Sequence, residues 1–161
     1  MTQSDFDRIL TDIGNGVLAS TDGILTAVDD LDAFGETVDR TVLMAAAYAG
    51  STGLICEYVR RGAQVNIANA YGQTALHEAA GNGHLRSVLQ LLDFGGDIEA
   101  CTVHGHTPLM MAAAWGHVDV VSALLARGAN PRRVDRDGCT ARMIAEEKGN
   151  TSVAAMFGQL M

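Results

Sequence analysis

Thr74-Ala75-Leu76-His77-Glu78-Ala79-Ala80-Gly81-Asn82-Gly83 is the stretch on which the fold turns, because the chain writes versions of it four times. The counterparts are TVLMAAAYAG from Thr41, TPLMMAAAWG from Thr107 and TARMIAEEKG from Thr140. Thr41, Thr74, Thr107 and Thr140 recur with one constant period, and so do Gly50, Gly83, Gly116 and Gly149. Gly62, Gly95 and Gly128 keep the same spacing, as do Gly72, Gly105 and Gly138. Four columns in one register mark an internal repeat, and a period of this length points to a stacked array.

Each unit has the same local logic. The Thr hydroxyl can cap a helix start, and Pro108 falls at a first helical position, where its missing N–H costs nothing. Ala46, Ala79, Ala112 and Ala145 form a small-residue column that lets neighbouring helices approach closely. A Gly then breaks the chain, and a second helix is expected from apolar residues at helical spacing. These are Leu54, Ile55, Tyr58 and Val59, then Val88, Leu91 and Leu92, then Val120, Val121, Leu124 and Leu125. Gly62, Gly95 and Gly128 should close these helices in a left-handed cap. About ten residues rich in Asn and Gly lead to the next Thr and are expected to form a turn or hairpin.

Period, caps and columns together resemble the ankyrin repeat, whose T-P-L-H-x-A signature is close to Thr74–Ala79 and takes its Pro from Thr107-Pro108-Leu109. The likeness covers about residues 36–161. It implies an all-α solenoid of helix-turn-helix units with projecting β-hairpin or turn loops. It also implies four units at about 36–68, 69–101, 102–134 and 135–161. Residues 1–35 read as a degenerate N-terminal cap continuous with them. A helix from Ser4 to Ile13 and a second near Thr21–Val28 are expected there, the aspartates giving a stack its polar outer end. Arg142 in the Leu43, Leu76, Leu109 column is tolerable only where no further unit covers it, so the array is expected to end at the fourth unit.

Composition narrows the function. The net charge is −8, of which residues 1–35 hold −6, seven aspartates against Arg8. Nucleic acid is an unsuitable partner, because phosphate binding needs a basic face. No apolar run approaches the ~20 residues of a membrane span. The opening MTQSDFDRIL lacks the basic and apolar regions of a signal peptide. Cys56, Cys101 and Cys139 are an odd count, expected as reduced thiols in a cytoplasmic protein. Cys101-x-x-His104-x-His106 fits no common zinc spacing, and a closed site needs four ligands. Glu146 and Glu147 diverge by roughly 100° on a helix. Asp29-Asp30-Leu31-Asp32 lacks calcium-loop spacing. No phosphate loop, dinucleotide fingerprint or nucleophile elbow occurs. Neither cofactor nor metal nor catalytic residue is expected.

The resemblance instead implies a protein-binding module or adaptor, its partner lying on the concave face made of loop tips and first helices. Carried over position by position, that face offers Tyr48, Tyr71, Gln73, His104, His106, Trp115 and Arg136. Large aromatic rings and Arg are the usual interface anchors. Thr74, His77, Thr107 and Pro108 are assigned to structure, His77 because in the family this residue bonds the loop and the Thr. His84 and His117 are expected to bond between units. An alternative is a small acidic inhibitor or immunity-type protein that blocks a basic enzyme or toxin by electrostatic steering. A monomer is expected, with weak self-association through an apolar C-terminal end of Met156, Phe157, Leu160 and Met161.

Overall fold

The computed structural model describes residues 3–15, 30–35 and 39–158. The helix expected near Thr21–Val28, the calcium-loop test at Asp29, and Leu160 and Met161 lie outside the described residues. The described residues form nine helices and no strand: α1 (Gln3–Gly14), α2 (Val42–Tyr48), α3 (Thr52–Arg60), α4 (Ala75–Gly81), α5 (Leu85–Asp93), α6 (Pro108–Ala114), α7 (Val118–Ala126), α8 (Ala141–Glu147) and α9 (Thr151–Gly158). Helices α1, α2, α4, α6 and α8 pack side by side in one layer, while α3, α5, α7 and α9 form the second. This is the all-α stack that the columns predict.

The local devices repeat with the sequence. The hydroxyls of Thr41, Thr107 and Thr140 each accept a backbone N–H three residues on, at 3.3 Å. The caps at Gly62, Gly95 and Gly128 have φ of +102°, +85° and +94°. In the second layer Tyr58, Leu91, Leu124 and Phe157 fill one buried column, each one repeat period from the next. Val59, Leu92 and Leu125 line its edge and are half-buried. Leu76, Leu109, Val121 and Leu124 are all buried as expected.

One expectation needs correction. Phe157 is 4% exposed and belongs to this buried column, so it is not free for self-association at the C-terminal end. Of the two forms expected for the loops, turn or hairpin, they take the turn, and only Val134 and Thr140 form a β-bridge among the described residues. Their side chains explain why: Asn69 Oδ1 accepts the N–H groups of Tyr71 and Gln73, and Asp135 Oδ1 those of Asp137 and Cys139. Bonds that a ladder would use are taken by these side chains instead.

The loops join unit to unit. Val103 N–H donates to Tyr71 O at 2.9 Å, and Arg136 N–H to His104 O at 3.0 Å. Asp39, standing where the other units have Gly, accepts Ala70 N–H on its carboxylate. The N-terminal helix enters the same stack: Leu10 and Ile13 are buried, and Leu10 stands one repeat period before Leu43.

Candidate functional site

His77, fully buried in the first turn of α4, shows how the stack fixes the face above it. Thr74 N–H donates to His77 Nδ1 at 3.2 Å, so that nitrogen carries no proton. Nε2–H then donates to His106 O at 3.0 Å. Burial is the main cause that lowers the pKa of His77 below its ordinary 6.5, and its backbone acceptors oppose the shift only in part. Met110 holds the same column in the third unit, its Sδ accepting Thr107 N–H at 3.4 Å. Pro108, beside Thr107, opens α6 and is buried.

One step further along the chain lies the junction of first and second helices. His84 Nε2 bonds Tyr48 O and His117 Nε2 bonds Gly81 O, both at 2.9 Å and both 36 residues apart. Asn150 takes the same place in the last unit, bonding Ala114 O at 2.9 Å. These bonds tie each unit to the carbonyl end of the preceding first helix.

Above them runs a groove of about 440 Å³ across the first, second and third units, lined by Tyr48, Glu78, Gly81, Met111, Trp115 and His117 among others. Trp115 caps α6 and is 67% exposed; Tyr48 is 36% exposed. Gly81 of α4 faces the indole, and a Cβ there would stand 3.8 Å from Trp115 Cδ1, an ordinary contact. Trp115 therefore rests one edge on α4 and offers the rest to solvent. Tyr48 is held by Arg40, whose guanidinium lies 4.2 Å from the ring centroid. Arg40 in turn donates to both carboxylate oxygens of the buried Glu78, at 2.8 and 3.4 Å. A desolvated two-point pair of this kind fixes geometry more firmly than an exposed one.

The sequence-predicted residues divide here. Tyr48 and Trp115 meet in the groove. His106 lines a second cavity beside it, where its Nε2 lies 3.4 Å from the nearly buried Asp135 Oδ2. His104 is exposed, its ring 6.0 Å from that of His106. Tyr71, 62% exposed, and Arg136 stand on the loops and line neither cavity. Gln73 is half-buried and its Oε1 accepts from Asn69. Glu78, Met111 and His117 belong to the groove but were not predicted for it. Their signal was their position on first helices and at the inter-unit bond.

Among the described residues, no three His, Cys, Asp or Glu side chains are grouped to hold a metal, and no helix is long and apolar enough to cross a membrane. Cys101 Sγ lies 2.9 Å from Arg133 Nη2. A family model for ankyrin repeats matches the chain in three overlapping copies, at residues 17–100, 42–135 and 82–158. No curated protein matches it.

Proposed function

The chain belongs to the ankyrin-repeat family, whose members are generally protein–protein interaction modules, and from that premise we propose that it is a non-catalytic adaptor that binds a protein partner across its first helices and loops. The observation that carries this reading is the groove between Tyr48 and Trp115. Large rings are exposed there, while the column positions that need bulk are filled by other residues. An exposed indole offers much apolar area with little side-chain entropy to lose, the usual profile of a hot spot. A cytoplasmic location, with reduced thiols, is part of the same proposal. The net charge of −8 favours, as a second reading, an inhibitor steered to a basic enzyme or toxin.

The test is quantitative. A partner isolated with the intact chain should bind Trp115→Ala more weakly by about 2 kcal/mol or more, with the thermal midpoint nearly unchanged. A collapsed midpoint with undiminished affinity of the folded fraction would make Trp115 a packing residue and remove the groove from the function. Affinity that falls steeply between low and high salt, yet ignores Trp115, would favour the inhibitor reading.

A further inference from the structure

The second cavity, about 240 Å³, opens between α6 and α8 and shares Met111 with the aromatic groove. Its floor is apolar, made of Met110, Met111, Ala114 and Ile144. Its volume suits one side chain and falls short of the ~300 Å³ at which small-molecule sites begin. The rim is acidic. Asp135, Asp137 and Glu147 stand there against one amine, Lys148.

These charges are unequally committed. Asp135 accepts two backbone N–H groups on one oxygen and faces His106 with the other. Glu147 meets Lys148 at 3.4 Å, with both side chains more than half exposed, which makes a weak pair. Asp137 is exposed, and none of the described residues forms an ion pair with its carboxylate. The half-buried Cys139 thiol lines the same cavity. Burial pushes its pKa up, and the carboxylates of Asp135, Asp137 and Glu147 push it further the same way. Negative potential therefore gathers over an apolar floor.

We propose that this cavity receives a lysine or arginine side chain of the protein partner, next to an apolar residue of the same segment seated in the Tyr48–Trp115 groove. The inference rests on the protein-binding reading above and names the partner's chemistry. A cationic side chain fits both halves of the cavity. Its methylene stem covers Met110, Met111 and Ile144, and its head reaches the carboxylates at the rim. An acidic side chain would be repelled. A purely apolar one would desolvate Asp137 and Glu147 without giving them a partner.

Trp115 is the single tryptophan of the chain, so its emission reports occupancy of the groove directly. Random dodecapeptides can be selected on the intact chain and the recovered ones titrated while Trp115 fluorescence is followed. Peptides that shift the emission are expected to share an Arg or Lys at a fixed distance from an apolar residue. Changing that residue to norleucine, or the chain to D137N/E147Q, should each weaken binding tenfold or more. The D137N/E147Q chain should keep the wild-type circular dichroism and midpoint, because neither carboxylate supports the fold. Peptides that shift the emission but bind D137N/E147Q as tightly as wild type, or carry no common cation, would overturn the cationic site and leave the groove standing. If no peptide shifts Trp115 emission, the groove fails as a protein-binding site, and this proposal fails with it.

Discussion

The third and fourth units are built from the same columns but meet different surroundings. In the third, Leu109 and Met110 are buried; in the fourth, Arg142 and Met143 occupy those positions, and Met143 is 48% exposed. Thr107 and Thr140 cap their helices alike. The backbone is alike too: Gly83, Gly116 and Gly149 have φ of +75°, +77° and +76°. A Cβ on Gly83 would strike the His117 ring at 2.6 Å and one on Gly116 would strike Asn150 at 2.8 Å, while one on Gly149 would meet nothing. Local sequence therefore shapes each unit, and the following unit supplies its burial. That is the behaviour of a one-dimensional array with nearest-neighbour coupling.

The largest separation between the two units is expected in their Leu column. Leu109→Ala should cost roughly 2–5 kcal/mol in urea unfolding. Arg142→Ala loses one i,i+4 pair with Glu146 and should cost less than about 1 kcal/mol. Equal losses would mean that the fourth unit is covered as fully as the third.

Glycine substitutions sharpen the same contrast. Gly83→Ala and Gly149→Ala both force a Cβ into the left-handed region, at roughly 1–2 kcal/mol each. Gly83→Ala must also displace His117 from its bond to Gly81 O, which should add about 1 kcal/mol. Thermal or urea unfolding of the two variants measures the difference, and a G149A loss as large as that of G83A would show the end unit to be engaged by something further.

Among the buried positions at which the second and third units differ is one titratable ring, His77, which Met110 replaces. Folding holds His77 neutral, with its pKa below the unfolded value of about 6.5, so the unfolded chain takes up a proton first as pH falls. The contribution is full above about pH 6.5 and is lost as pH drops below it, at no more than about 1.4 kcal/mol per pH unit. His77→Met, which copies the third unit, should flatten that part of the stability profile. Unchanged slopes in urea titrations at successive pH values would show that His77 is not held neutral.

Ser87 gives the smallest effect. It is buried in a column with Leu54, Val120 and Val153, and no described residue accepts from or donates to its hydroxyl. Ser87→Ala should stabilise the chain by up to about 1 kcal/mol, and a loss of that size in unfolding experiments would reveal a bond to the hydroxyl.

The sequence was informative where position in the repeat decides structure. The period placed the helices, the caps, the buried Leu76 and Leu109, and the exposed Trp115. It was also sufficient for Phe157, one period after Leu124, and for Leu10, one period before Leu43. Those two were missed because the markers lapse at both ends: Arg8 and Val17 stand one period before Thr41 and Gly50, and Met161 one period after Gly128. What the columns could not show are pairs between different positions of successive units, such as Arg40 with Glu78 and His106 with Asp135. No column contains both partners, so only packing reveals them. The groove is legible through Trp115 but the rest of its lining is not, because residues from several columns in three units assemble it.

Amide hydrogen exchange tests most directly whether neighbours supply the burial. Helices α4 to α7 have a unit on either side, whereas α8 and α9 have one on a single side only among the described residues. Exchange is therefore predicted to be faster across residues 140–158 than across 74–127. Equal protection in the two segments, measured on the monomeric chain, would contradict the account.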